Sequence, residues 1–130
     1  MTSVAYVDAS ALTKLVVDEP DSAAMRHWYV ENDQVLCSRI GIVETRRAVG
    51  RARHDPTHLD LILRSVEVVE FDAAVAREAA GIGPATLKTL DAIHLATAVA
   101  MGAEIDAFVT YDDRLAEAAR AVGLPVVRPA

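Results

Sequence analysis

The sequence lacks the features that would place the chain in a membrane or an oxidising compartment. Its one cysteine, Cys37, leaves no internal disulfide possible, as is usual in the cytoplasm. No apolar run approaches the roughly 20 residues that a membrane-spanning helix needs. Residues 1–4 carry neither the basic segment nor the apolar stretch of a secretory signal. We therefore expect a cytoplasmic protein without a membrane anchor.

The sequence also lacks a basic excess and a glycine-rich phosphate loop. Its net charge of −6 argues, at the level of totals, against a nucleic-acid-binding protein. Neither a Walker-type loop nor a G-x-G-x-x-G pattern occurs, which argues against the common nucleotide-binding classes. With 52% hydrophobic and 25% charged residues, the 130-residue chain is predicted to fold as one domain over residues 1–130.

Strand-like and helix-like segments alternate along the chain. Such alternation predicts an α/β fold with a central parallel sheet of four to five strands and helices on both faces. The predicted strands are 4–7, 35–37, 66–71, 107–110 and 124–127. The predicted helices are 9–17, 22–30, 39–53, 57–64 (with Thr57 as its cap), 72–81, 90–101 and 112–123.

Four acidic residues occupy special places in this pattern. Asp91 lies in a helical segment that is apolar nearly all round, where a buried carboxylate is costly unless it is paired. Asp8 directly follows the first predicted strand, Asp112 closely follows the fourth, and Glu44 lies one turn inside the helix after the second. Because the carboxyl ends of parallel strands share one edge of the sheet, a compact fold can bring the four together.

Four carboxylates at one point have a clear chemical use. They cannot all stay ionised side by side without a cation, and Mg²⁺ or Mn²⁺ prefers oxygen ligands. A metal ion held in this way can activate water and stabilise the charge of a phosphodiester as it is cleaved. The set therefore indicates metal-dependent nuclease chemistry.

Each acid also has an ordinary structural interpretation. Asp is a favoured helix cap, which is an alternative for three of the four, namely Asp8, Asp91 and Asp112. Asp113 competes with Asp112 for both the cap and the ligand position. Glu44 can instead be a solvent-facing residue paired with Arg47 on the next turn. The specificity lies in the set of four and not in any one member.

Four segments taken together resemble a known family. They are 6–12, 43–48, 90–98 and 109–115, and the likeness extends in order over the whole chain. The sequence resembles the PIN-domain ribonucleases and, among them, the VapC toxins of type II toxin–antitoxin pairs. Each segment contains one of the four acids.

The resemblance implies a metal-dependent endoribonuclease with a single PIN-like domain. It implies that Asp8 and Asp91 bind one or two Mg²⁺ or Mn²⁺ ions directly. Glu44 and Asp112 would act through waters or orient the attacking water. It also implies an RNA substrate, a cognate VapB-type antitoxin and a homodimer. The antitoxin would contact the first two helices, with three candidate contacts at Met25, Trp28 and Tyr29.

Several neighbours of the acids remain open between two interpretations. The hydroxyls of Ser10 and Thr110 can hold the acids or touch phosphate, or they can serve a helix cap and a strand. Arg47 shares a helix face with Glu44, so it can contact RNA phosphates or belong to a solvated charged face. His94, one turn after Asp91, is interpreted as a structural histidine.

Other functions meet specific difficulties in the sequence. A magnesium-dependent phosphatase of the haloacid dehalogenase type needs a second aspartate two positions after Asp8, where Ser10 stands. A receiver domain needs an acidic pair after the first strand and a lysine after a late strand. Lys88 precedes the apolar helix instead, and Asp72 is better explained as a helix cap. A non-catalytic PIN-like binding module would have no need of four intact acids.

Overall fold

The computed structural model describes residues 3–130, and it contains one sheet of five strands, all pairing in parallel. The order across the sheet is β3-β2-β1-β4-β5. The strands are β1 (Val4–Val7), β2 (Gln34–Ser38), β3 (Glu67–Val69), β4 (Ala107–Val109) and β5 (Val126–Val127). The predicted α/β fold with a parallel sheet is confirmed. The expectation about a leader in residues 1–4 falls partly outside the described residues.

Seven α-helices connect the strands. They are α1 (Ala9–Val16), α2 (Ser22–Val30), α3 (Arg39–Gly50), α4 (Pro56–Ser65), α5 (Ala73–Gly81), α6 (Thr89–Met101) and α7 (Asp113–Ala121) in the part of the chain that the structure describes. A 3₁₀ turn, Gly102–Glu104, follows α6. None of the helices in residues 3–130 has the length and apolar character needed to cross a membrane.

One predicted helix start was wrong. Helix α4 begins at Pro56 and its cap is Asp55, whose carboxylate accepts the Thr57 amide at 2.9 Å. Proline is favoured at the first helical position because its fixed φ suits the helix and its missing N–H would have no partner there. Thr57 is therefore the second residue of the helix and not its cap.

The helices cover both faces of the sheet because successive β1 side chains point in opposite directions. Ala5 and Val7 face one core, which is closed mainly by α1, α3 and α4. Tyr6 faces the other core, formed with α6 and α7. Helix α5 packs against α6 on this second side. Side chains of the central strands take part in both cores, so these strands are packed on both faces of the sheet.

The strand register places Asp8 next to Thr110, which comes two positions before Asp112. Val7 at the end of β1 pairs with Val109 at the end of β4. The Asp8 amide then donates to the Val109 carbonyl at 3.2 Å. The residues that leave these two strands, Asp8 and Thr110, therefore emerge side by side at the carboxyl edge of the sheet.

Candidate metal centre

Asp8 is the most strongly fixed of the four acids. It is 4% exposed, and its Oδ1 accepts hydrogen bonds from the Ser10 hydroxyl at 2.6 Å and the Ala11 amide at 3.1 Å. Its Oδ2 accepts the Thr110 hydroxyl at 2.6 Å. Asp8 is thus the N-cap of α1 and also a carboxylate locked at the sheet edge. The cap and the site interpretations therefore apply to the same side chain.

The two hydroxyls are in turn held by the chain that carries the fourth acid. The Tyr111 amide donates to the Ser10 hydroxyl at 2.8 Å, and the Asp112 amide donates to the Thr110 hydroxyl at 3.0 Å. Burial raises the pKa of Asp8 above its ordinary value of 3.8, while its hydrogen bonds oppose that rise. A cation beside this carboxylate would stabilise its charged form.

Asp91 lies in the first turn of α6 and is half-buried. The sequence argument placed it within a fully buried helix, but only the segment from Ala92 to Ala98 is fully buried. Burial and then the negative charge of Asp112 raise the pKa of Asp91, and the charges of Asp8 and Glu44 add to the rise. The other three acids therefore lie close enough to Asp91 to act on its charge.

Glu44 is hydrogen-bonded to His94 and not paired with Arg47 of its own helix. Its Oε1 lies 2.6 Å from Nε2 of His94, and the described residues contain no ion pair between Glu44 and Arg47. The other ring nitrogen, Nδ1 of His94, lies 2.7 Å from the Tyr6 hydroxyl. Sequence reasoning missed this network, because its members are separated by 50 and 88 positions.

The two adjacent aspartates at the start of α7 have different environments. Asp112 is the N-cap, with its Oδ1 accepting the Leu115 amide at 2.9 Å. Asp113 is exposed and forms an ion pair of 2.8 Å with Arg128. Of these two charges, only that of Asp112 raises the pKa of Asp91. Both residues are exposed, and the charge of Asp112, not that of Asp113, is the one that acts on Asp91.

The donor set fits a hard divalent cation. All four acids offer oxygen ligands, and their mutual repulsion is what such a cation relieves. Within residues 3–130, no group of three or more His, Cys, Asp or Glu side chains is arranged to hold a metal ion by itself. Mg²⁺ typically keeps several waters and binds through one or two carboxylates, so the two observations are compatible.

An open cleft of about 310 Å³ is lined by one of the four acids, Glu44. It is lined on one side by Glu44, Arg47 and Arg51, and on the other by Ser10 and Leu90. Other arginines of α3 are engaged elsewhere: Arg39 binds Glu70 at 2.7 Å and Arg46 binds Asp60 at 3.6 Å. The cleft therefore combines a carboxylate and two guanidinium groups on one helix face.

One of the three expected antitoxin contacts is not on the surface. Met25 is 0% exposed and belongs to the core beside α1, so it cannot meet a partner in this conformation. The sequence pattern of α2 did not separate its core-facing from its outward-facing apolar residues. Trp28 and Tyr29 are partly buried against the same core, and Val30 is 79% exposed.

The fold and the acidic cluster define a class of nuclease-like α/β domain, and comparison with known families identifies it. The model of the PIN domain matches residues 5–121. The chain belongs to the PIN domain family, with all four acids inside the matched region.

Within that family, the chain is similar over most of its length to ribonucleases named VapC. Ribonuclease VapC47 of Mycobacterium tuberculosis (strain CDC 1551 / Oshkosh) is 38% identical over 130 residues, covering 95% of this chain and 96% of the relative. Ribonuclease VapC46 of M. tuberculosis (strain ATCC 25618 / H37Rv) is 36% identical over 132 residues, with the same two coverages.

Solved structures show the same fold. M. tuberculosis VapC20, described as a Sarcin-Ricin loop cleaving toxin, superposes with a TM-score of 0.74 at 18% identity, covering 96% of this chain and 99% of that one. VapBC2 from Rickettsia felis, bound to a DNA fragment from its promoter, gives 0.70 at 14% identity, covering 98% and 99%.

Proposed function

We propose that this chain is a divalent-metal-dependent endoribonuclease and the toxin of a type II toxin–antitoxin pair, acting in the cytoplasm as a single domain over residues 1–130. The observation that carries the proposal concerns the four acids of this PIN fold. The charges of Asp112, Asp8 and Glu44 raise the pKa of the half-buried Asp91, and Asp8 is itself buried. Full-length similarity to VapC ribonucleases supports RNA as the substrate.

The four acids have distinct proposed roles. Asp8 and Asp91 bind Mg²⁺ or Mn²⁺ directly, because Asp8 is rigidly held and its charge helps to raise the pKa of Asp91. Glu44 and Asp112 act through waters, orienting the nucleophile for in-line attack on the phosphodiester. The metal, when bound, activates water and offsets the charge that builds up on the phosphate.

The hydroxyls next to Asp8 serve the site through positioning. Ser10 and Thr110 donate to opposite oxygens of the Asp8 carboxylate, which fixes the plane of the carboxylate. A haloacid dehalogenase-type phosphatase needs its second aspartate at this position. Here Ser10 stands there instead, and its hydroxyl is hydrogen-bonded to Asp8. This arrangement favours the nuclease over the phosphatase, and the preserved acids favour it over a module that only binds.

Two partners complete the proposal. A VapB-type antitoxin would keep the toxin silent, and the partly exposed side of α2 with Trp28 and Tyr29 is its proposed contact. The structure of Rickettsia felis VapBC2 provides a precedent for such a pair in this fold. The toxin itself would be a homodimer, which would place two acidic sites on one assembly.

Cleavage of RNA by the antitoxin-free protein tests the proposal. Total RNA is incubated with protein in Mg²⁺, in Mn²⁺, in EDTA, and in EDTA followed by excess Mg²⁺. We expect discrete fragments only where free metal is present, and the mapped ends will define the target. The matched control is Asp8→Asn, since asparagine remains a good N-cap for α1. The change removes the charge and replaces one of the two oxygens that accept the Ser10 and Thr110 hydroxyls, so the variant is first shown to be folded.

Two outcomes would contradict the proposal. Cleavage that persists in EDTA would exclude metal-dependent chemistry, or would reveal a contaminating nuclease if the Asp8→Asn preparation cleaves equally. Intact RNA in every lane, from protein shown to be folded, would favour a binding module.

The basic side of the cleft is expected to contact RNA phosphates. Arg47→Ala should weaken binding of a short RNA and lower the slope of log affinity against log salt by about one unit. Fluorescence anisotropy over a salt series measures this, in an Asp91→Asn background so that the RNA stays intact. Arg46→Ala is the control, because Arg46 lies on the same helix but pairs with Asp60. Equal losses in both variants would mean that only net charge matters.

A further inference from the structure

A buried chain of hydrogen bonds links the backbone of β2 to Glu44. The Ser38 amide donates to the Tyr6 hydroxyl at 3.1 Å, and this hydroxyl lies 2.7 Å from Nδ1 of His94. Nε2 of His94 then lies 2.6 Å from Oε1 of Glu44. Tyr6 and His94 are 0% and 1% exposed, so water does not compete with the bond between these two side chains.

The donors of this chain can be ordered by elimination. The Tyr6 oxygen accepts the Ser38 amide, and the other hydrogen-bond partner of this hydroxyl among the described residues is Nδ1 of His94. A phenol that donates its one proton to this partner makes Nδ1 the acceptor nitrogen of the ring. A neutral His94 then carries its proton on Nε2 and donates it to Glu44.

Packing fixes the orientation of the histidine ring. A Cβ added at Gly41 would lie 2.9 Å from Cε1 of His94 and 2.2 Å from Sγ of Cys37, so only glycine leaves room for this ring. Tyr6 stacks on Phe108 with ring centroids 5.4 Å apart. Tyr6 and His94 pack in a T-shaped arrangement with ring centroids 5.8 Å apart. Neither ring can turn without displacing core residues.

We infer that Tyr6 and His94 are positioning residues that hold the Glu44 carboxylate at the metal centre. Glu44 has a side chain that is 26% exposed, so the fold itself does not require it to point inward. Its several rotatable bonds would otherwise let the carboxylate move into solvent. These hydrogen bonds tie Oε1 of Glu44 to the core and leave Oε2 available to the metal centre. This inference rests on the proposed function, since it assigns Glu44 a task there.

The first test reads the chain in metal-free protein. Nitrogen-15 NMR of labelled histidine should show His94 as the neutral Nε2–H tautomer, assigned by the signal that disappears in His94→Gln. Tyr6→Phe should move this signal toward a mixture of tautomers, because Nδ1 has then lost its donor. An Nδ1–H tautomer in the wild type, or no change in Tyr6→Phe, would contradict the hydrogen-bond order assigned to Tyr6, His94 and Glu44.

The second test is a double-mutant cycle on the affinity for Mn²⁺, measured by titration calorimetry. We expect His94→Leu to weaken binding about 10-fold or more, as the loss of an outer partner of a ligand does. His94→Gln should retain most of the affinity, because its amide can still donate near the Nε2 position. In a Glu44→Gln background, His94→Leu should cause no further loss.

A matched control separates positioning from packing. Thr97 is 1% exposed on the same helix, but its hydroxyl binds only the Ile93 carbonyl of its own helix among the described residues. Thr97→Val should therefore bind Mn²⁺ like the wild type. Equal losses for His94→Leu with and without Glu44 would overturn the inference. If the folded wild type does not bind Mn²⁺, the proposed metal centre is wrong. The NMR measurement of the His94 tautomer still tests the hydrogen bonds from Tyr6 to Glu44.

Discussion

An Asp91→Asn variant will lose about 1,000-fold in the rate of RNA cleavage, the upper end of what one preorganised electrostatic contact contributes. At neutral pH its metal-free form will unfold at a higher temperature than the wild type. Both results have the same origin. Burial first, and then the charges of three neighbouring acids, raise the pKa of Asp91, so its negative charge lowers the stability of the metal-free protein at neutral pH.

The pH dependence follows from the direction of the shift. The pKa of Asp91 is raised above 3.8 in the folded state, so the folded protein binds this proton more tightly than the unfolded chain does. The resulting stabilisation is fully present below the unfolded value and is lost as pH rises through the folded one. The gain from Asp91→Asn should therefore be seen at pH 8 and diminish toward pH 4.

Thermal unfolding with and without Mg²⁺ measures this balance. Because a ligand that binds only the folded state stabilises it, Mg²⁺ should raise the melting temperature of the wild type more than that of the variant. The control is Asp72→Asn, the same change at the cap of α5, away from the acidic cluster. A metal-free Asp91→Asn protein that melts below the wild type at pH 8 would contradict the argument.

The fold was predictable because its signals are local. Buried parallel strands appear as short apolar runs, and the connecting helices begin at recognisable caps such as Asp72 and Asp112. The errors arose at boundaries where local signals compete. Asp55 and Thr57 are both good caps, and only the proline between them decides which one is used. Helix α3 ends at Gly50, three residues earlier than predicted.

For the candidate site, the sequence predicts a set of residues and not their geometry. Parallel topology brings the residue after each strand to one edge of the sheet, and the structure places Asp8 beside Thr110, two positions before Asp112. Burial was harder, because an apolar helix does not reveal that Asp91 lies at its exposed end. The role of His94 depends on partners from β1 and α3, and hydrogen bonds over such separations leave no periodic pattern in a sequence.

Exchanging the two adjacent aspartates one at a time should separate their roles. Asp112→Asn is expected to slow RNA cleavage about 10- to 100-fold, the usual loss when an outer partner of a metal ligand is removed. Asp113→Asn should cleave at the wild-type rate. Asparagine caps helices as well as aspartate does, so the first variant should keep α7 intact and lose only the charge. The second breaks an exposed ion pair with Arg128, which contributes at most about 1 kcal/mol.

A second measurement ties the rate to the electrostatics of the cluster. The charge of Asp112 is the largest contribution from a neighbouring group to the raised pKa of Asp91, so Asp112→Asn should lower the pKa of Asp91 toward 3.8. Carbon-13 NMR of the Asp91 carboxyl over a pH titration follows this change, and Asp113→Asn should leave the titration unmoved. If Asp113→Asn instead lowered both the pKa of Asp91 and the rate, the fourth acid of the centre would be Asp113. The ion pair with Arg128 would then have to open before RNA is cleaved.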